Sequence, residues 1–386
     1  MVLSQSLNMV GVELRATWSK TKQVNGEFSQ DRITSVINSW KSGKFMELTC
    51  RPWSVNNYAL SRIWHRAHTV DLRVVDINKI SSKIKSWIFQ DQLEKPEEFV
   101  LYRHITQGGL SLHNVKVRSK ALLIKTFIET AIDPKYNQSL AHNLAYRYHI
   151  LQDDSIESPP QLPQCITEKV VTSIKNCIQN TDLNVSKMST AQWYKFLLEE
   201  ELMEENELGI PVLIRTRGES NFQEIDWDRT WQRARLRGLG AEALSFLWKM
   251  LHTILPTDAR LARILQNATD RCKLCPEPIT ADLPHCLFNC VITREVGEWL
   301  LQIVKQHDRS VNAVRISKLD FACEPSYEMP LVWLIAHTLL YLWNARQNGN
   351  TVNVRLTRSM LERKIAILRK TRFGNEAHIL TGLIDM

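Results

Sequence analysis

Three thiols and one imidazole fall within nineteen residues as Cys272-x2-Cys275-x9-His285-x4-Cys290, and no other stretch restricts the local chain so tightly. Two residues between paired cysteines allow a tight turn to aim both thiolates at one ion, and Zn2+ favours such soft and borderline ligands in tetrahedral geometry. Four protein ligands close the coordination shell. The expectation is therefore a structural Zn2+ that organises a fold, with no open position for activating water. Its binding energy would replace the core that so short a loop cannot build. Cys286, next to His285, is a competing thiol. Its neighbours Leu287 and Phe288 mark that side of the turn as inward-facing, which leaves Cys286 a buried thiol or a substitute ligand. Reduced cysteines without a metal are the alternative to the whole site.

The remaining cysteines show no secreted pairing pattern, and Met1 to Leu14 has no basic segment followed by a sustained apolar run. A signal peptide is not expected, and a reducing intracellular compartment, nucleus or cytoplasm, fits best. The most apolar stretch, Leu331 to Trp343, carries His337 and Thr338 and falls short of the roughly 20 residues a bilayer span requires. It reads as a buried helix, so no membrane partner is expected.

Charge is spread unevenly. Residues 1–150 hold 21 Lys/Arg against 12 Asp/Glu, residues 151–210 hold 4 against 11, and residues 211–386 hold 24 against 18. Between Arg355 and Arg372 seven basic residues face one acid, Glu362. Polyanions are plausible partners, because neutralising phosphates with Lys and Arg releases counterions. Solvated helix faces would produce the same pattern.

The apolar periodicity predicts a mainly α fold. Val10 to Thr17 alternates like a short strand, and Asn25-Gly26 reads as a turn. Ile33, Val36, Ile37 and Trp40 then follow the period of one buried helix face, with Gly43 placed to end that helix. A second helix is expected from about Val55 to His68, with Tyr58, Ile63 and Trp64 inward. A third, near Ile77 to Phe89, buries Ile80, Ile84, Trp87 and Ile88 and turns Lys79, Lys83 and Lys85 outward. Gly108-Gly109 gives a turn into Leu110-Ser-Leu112, and Val117 to Ala131 is helical again. Pro159-Pro160 and Pro163 mark a connector. Beyond it, Trp193 to Glu205 reads as a short acidic helix and Val212 to Arg215 as a strand. Ala241 to Leu255 reads as an apolar helix stopped by Pro256, and Thr257 is placed to cap a helix from Asp258 to Gln266. Two tail helices are expected at about 330–346 and 356–370, the second with Leu361, Ile365 and Leu368 on one side.

The run Glu94-Lys-Pro96 through Leu101-Tyr-Arg103, followed by Gln107-Gly-Gly-Leu110-Ser-Leu112-His-Asn114, resembles the post-palm region of LINE-type (non-LTR) retrotransposon reverse transcriptases. Trp231 to Ile264, with Leu239-Gly240, Ser245-Phe-Leu-Trp248, His252 and Leu255-Pro-Thr257, resembles the helices before that family's zinc-binding region, and the Cys/His motif follows in the family's order. The resemblance runs from about Gly11 to at least Trp343. It implies a thumb-like helical region over 1–150, a connector over 151–190, a helical region over 191–271, the zinc knuckle over 272–290 and a C-terminal helical region over 291–386. In that family the helices after the palm are thought to grip template and primer. Carried onto matching positions, this implies sequence-independent RNA or DNA backbone contacts for Lys41, Lys44, Arg51, Arg62 and Arg66. Trp18, Trp53 and Trp64 could stack on bases, although packing is the commoner fate of a Trp at helical spacing.

The chain departs from the family where the chemistry would be. Polymerisation needs palm carboxylates holding two Mg2+ ions, and the adjacent pair Asp153-Asp154 follows Leu151-Gln152 beside prolines, the setting of a solvated loop. Fingers and palm are expected upstream of Met1. No phosphate-binding glycine loop, dinucleotide fingerprint or nucleophilic triad is evident either. The expected function is thus a non-catalytic, zinc-binding, nucleic-acid-holding part of a reverse transcriptase. Its alternatives are a piece of an active RNA-directed DNA polymerase and a relic serving as a protein interaction scaffold.

Overall fold

The computed structural model describes residues 6–9, 12–40, 46–89, 96–132, 172–174, 176–177, 179, 187–202 and 225–386. Lys41, Gly43, Lys44, Asp153-Asp154, the prolines of the connector and Val212–Arg215 lie outside the described residues. The protein is mainly helical. Its elements begin with strands β1 (Ser6–Met9) and β2 (Val12–Arg15) and helices α1 (Trp18–Ser39), α2 (Arg51–Ser54), α3 (Ser61–Ala67), α4 (Val74–Ile88), α5 (Glu98–Tyr102), α6 (Val115–Ile132) and α7 (Thr190–Leu202). They continue with α8 (Trp227–Arg233), α9 (Ala241–Leu251), α10 (Asp258–Ile264), α11 (Arg294–Lys305), α12 (Ala313–Ser317), α13 (Pro325–Gln347), α14 (Val354–Leu368) and α15 (Gly374–Asp385). Among the described residues no helix is long and apolar enough to cross a membrane.

Two compact units form. The first comprises Met1–Met46, Arg51–Gln92 and Ser111–Asn206. Its two strands pair antiparallel, Ser6 opposite Arg15 and Met9 opposite Val12. Helix α1 continues the pairing of β2 with a side chain: Asn25 accepts from the Glu13 amide at 3.1 Å and donates to the Glu13 carbonyl at 2.7 Å, as a neighbouring strand would. Asn25-Gly26 is accordingly not a turn but a buried step of α1. A methyl group on Gly26 would overlap the Asp76 carboxylate, so its bare backbone lets α4 pack against α1. The fully buried Asp76 is held in a two-pronged pair by Arg73, at 2.7 and 2.9 Å.

The second expected helix begins earlier than Val55. Chain from Arg51 runs through a wider turn at Val55–Ala59, closed by the Leu60 amide on the Val55 carbonyl at 2.8 Å, into α3. Val55, Ala59, Leu60, Ile63 and Ala67 form the buried face. Tyr58 points away from that face and is exposed rather than inward. Helices α6 and α7 share a core of Val117, Ala121, Ile124, Phe127 and Ile128 with Trp193 and Leu197.

The second unit comprises Glu47–Cys50, Leu93–Leu110 and Glu207–Met386. Its axis is α13, in which ten consecutive residues from Leu331 to Leu340 are buried. A helix apolar on all sides belongs in a core, and α8, α9, α11, α14 and α15 surround it. It starts at Pro325, before the expected position, and carries Pro330 in its second turn. Helix α14 buries Leu361, Ile365 and Leu368 as the period requires, and α15 is an element the sequence pattern did not announce. Helix α9 stops at Leu251, short of Pro256. Its end is set by Thr253, whose φ of 55° is left-handed, and by the Ile254 amide reaching back to the Lys249 carbonyl at 2.9 Å.

Candidate metal centre

The four predicted ligands meet in space. One donor atom from each of Cys272, Cys275, His285 and Cys290 lies within 4.8 Å of every other. Cys290 Sγ is 3.8 Å from both Cys272 Sγ and Cys275 Sγ, and Cys275 Sγ is 3.5 Å from His285 Nε2. A tetrahedron with metal–sulfur bonds of about 2.3 Å and metal–nitrogen bonds of about 2.05 Å has edges of about 3.8 and 3.6 Å. The sulfurs are far beyond the roughly 2.05 Å of a disulfide. Three edges of the cluster thus match those of a four-coordinate site, the cluster can hold a metal ion, and its donors suit a soft or borderline one.

Local backbone bonds aim the ligands. The Cys272 amide donates to Ile279 O and the Ala281 amide to Asp270 O, both at 2.8 Å, which folds 270–281 into a narrow loop around Cys275. Asp282 accepts from the His285 amide at 2.8 Å and starts the wide turn His285–Asn289, and the Cys290 amide closes that turn on His285 O. The Val291 amide donates to Cys275 Sγ at 3.5 Å. Buried Thr293 anchors the exit by donating to Cys286 O at 3.2 Å. Cys286 turns away from the cluster. Its thiol is fully buried near Ala281 O, and burial pushes it up to about 12, so it is a structural thiol and not a member of the cluster.

Arg346, from the end of α13, reaches the site. It donates to Asp258 at 2.9 Å and to Cys272 Sγ at 3.6 Å while only 7% exposed. Burial raises the Cys272 thiol, but hydrogen bonds from the Leu274 amide, His285 and Arg346 outweigh it and bring Cys272 down to about 6. Cys290 moves the other way, to about 11, because of burial and then the neighbouring Cys272. Arg346 escaped the sequence reading because it lies 74 residues from Cys272. The available signal was an arginine three residues after Trp343 on the buried face of an apolar helix.

The residues proposed to touch nucleic acid separate. Arg51 is half-buried and donates to Met46 O at 2.9 Å and Ile88 O at 2.6 Å, a role in joining chain segments. Arg66 lies 3.5 Å over the Phe28 ring and donates to Asn25, with burial as the main cause of its lowered pKa. Arg62 is exposed, with one bond to Tyr58 O. Trp53, expected to pack, is 60% exposed and meets Tyr58 edge-to-face at 5.8 Å; Trp18 and Trp64 are half-buried. In the second unit, α14 and the turn after it expose Arg355, Arg363, Arg369, Lys370 and Arg372.

Fold and site together define a mainly helical protein with a Cys3His cluster that can hold a metal ion. No protein-family model matches the chain, and no curated protein is significantly similar to it.

Proposed function

We propose that this chain is the post-palm part of a LINE-type reverse transcriptase, carrying a structural Zn2+ and holding nucleic acid by its backbone without joining nucleotides itself. The reading rests on how the two resembling segments fit each other. The carbonyl of Gly108, in the Gln107-Gly-Gly-Leu110 run, accepts from Trp248 Nε1 at 2.9 Å and His252 Nε2 at 2.7 Å, both in the segment that precedes the metal cluster. These bonds pack the two resembling segments together within the second unit, which is what the proposed reading requires of them. Zn2+ would be held by Cys272, Cys275, His285 and Cys290, with Arg346 offsetting part of the charge of three thiolates; it supplies folding energy. Nucleic-acid contact falls to exposed cations such as Arg62 and those of α14, with the Trp53–Tyr58 pair offering faces for base stacking.

Three measurements on the purified chain test this. Elemental analysis should find one zinc per chain. Fluorescence anisotropy with single-stranded RNA and DNA should show affinity falling steeply between 50 and 200 mM salt, whereas affinity indifferent to salt, or none, favours the scaffold reading. Primer extension by the chain in the presence of dNTPs and Mg2+ would overturn the non-catalytic assignment.

A further inference from the structure

From Arg51 to Ala67 the first unit runs one helical stretch through α2, the wide turn at Val55–Ala59 and α3. The face opposite its buried residues carries Trp53, Asn57, Tyr58, Ser61, Arg62 and His65, most of them fully exposed. Trp53 is 60% and Tyr58 55% exposed, although a tryptophan is usually well buried and each ring left in water forgoes hydrophobic stabilisation. In a regular α-helix, residues five apart lie about 140° apart around the axis, on different faces. The wide turn takes up more residues per revolution and closes that gap, so the two rings meet edge-to-face with centroids 5.8 Å apart. Turns of this kind interrupt regular helical hydrogen bonding and are frequent at functional sites.

Short bonds fix the face. Asn57 Nδ2 donates to Trp53 O at 2.8 Å, Ser61 Oγ to Asn57 O at 2.7 Å and Arg62 Nε to Tyr58 O at 3.2 Å. Charge on this stretch has one sign: from Arg51 to Val70 the sequence holds three arginines and no acid. Arg51 and Arg66 are engaged within the fold, which leaves Arg62 as the exposed guanidinium of the face.

Resting on the reading that the chain holds nucleic acid, we propose that this face binds an unpaired strand in preference to a duplex. Every base has a π-face, and Trp53 and Tyr58 can stack only on bases that are not already enclosed in a duplex stack. Arg62 then meets a phosphate of the same strand. Trp, Tyr and Arg also anchor protein interfaces, but a protein partner would have to bring an acid to Arg62, whereas a strand supplies phosphates and aromatic faces together. Both contacts are common to RNA and DNA.

The test uses the full chain with labelled RNA and DNA strands of about 12 nucleotides and mixed sequence, each alone and as a duplex. The single strands should bind more tightly than the duplexes. Trp53→Ala should lower single-strand affinity about five-fold to a hundred-fold, while duplex affinity and the thermal unfolding midpoint stay unchanged. Trp53→Phe, which keeps a stacking ring, should retain most of the affinity yet lose part of the tryptophan quenching that a bound strand causes. Arg62→Gln should lower the slope of log affinity against log salt by about 0.7. Strand binding that Trp53→Ala and Tyr58→Ala both leave unchanged assigns the exposed pair to a protein partner and overturns the proposal. A duplex bound as tightly as the single strand also overturns it, and in both cases the chain's role as a nucleic-acid holder stands. No salt-dependent binding by the parent chain overturns the two together.

Discussion

His252 donates its Nε2–H to the carbonyl oxygen of Gly108 at 2.7 Å, across 144 residues of chain. Trp248 donates to the same oxygen, and the His252 ring lies against Trp231 and Trp248 with centroids 5.0 and 4.4 Å away. Gly108 is left-handed at φ 80°, and a Cβ there would overlap Trp231. A neutral imidazole suffices for the bond to a carbonyl, and full burial opposes a second proton.

That arrangement sets an acid limit. Burial brings His252 down to about 4 from its ordinary 6.5, with the bond to Gly108 acting the other way. Below 6.5 the unfolded chain takes up a proton that the folded chain refuses until about pH 4. The contribution is therefore full above pH 6.5 and declines as pH falls, by about 3 kcal/mol at about 1.4 kcal/mol per unit. Urea denaturation followed by tryptophan fluorescence should show a shallower loss between pH 6.5 and 4 in His252→Gln than in the parent. Comparing the two cancels the acid release of any metal, and identical slopes would disprove the assignment.

Gly26 offers a test of sign. Alanine favours an exposed helical position over glycine by about 1 kcal/mol. At Gly26 the added methyl meets buried Asp76, so Gly26→Ala should instead destabilise the chain by about 1–3 kcal/mol. A raised urea midpoint would mean that α1 and α4 do not approach as described.

What was legible in the residues follows from how local each signal is. Ile33 with Ile37, Ile80 with Ile84, and Leu361 with Ile365 are buried pairs that a helical period exposes directly. The four cluster residues lie close enough in sequence for their spacing to encode a turn. Thr257 caps α10 by accepting from the Arg260 amide, another short-range relation. Asn25-Gly26 misled because a turn-forming pair is defined by its neighbours, whereas its use here is set by Glu13 and Asp76. The end of α9 misled similarly: Pro256 is a visible stop, but the chain turns earlier through a threonine in a conformation that glycine usually supplies. Exposure of Trp53 depends on which face of α2 is covered, and engagement of Arg66 with Phe28 on which faces of α1 and α3 meet, which periodicity alone does not resolve.

Arg346 should govern metal affinity. Replacing it with Met removes the donor to Cys272 Sγ and leaves Asp258 without this partner. Outer-shell losses of this kind typically cost 10–100-fold in metal affinity. Competition with a chromophoric chelator should show a drop on the order of ten-fold or more in Arg346→Met, with less in Arg346→Lys, which keeps the charge. An unchanged affinity in both variants would reduce Arg346 to a packing residue.

The two neighbouring thiols separate the metal reading from mere clustering of cysteines. Cys290 sits 3.8 Å from two other sulfurs, whereas Cys286 points to Ala281 O and lies outside the ligand group. With Co2+ added as a spectroscopic probe, Cys286→Ala should keep the thiolate charge-transfer intensity and one cobalt per chain, losing only stability from the small buried void. Cys290→Ser should weaken that intensity by about a third, because one of three thiolates is gone, and should lower affinity. Chelation of the parent should in turn raise protease sensitivity around residues 258–295 while residues 12–40, 51–89 and 115–132 of the first unit keep theirs, since the ion closes a loop within the second unit. Loss of the cobalt spectrum in Cys286→Ala would show that the wrong thiol has been assigned to the metal.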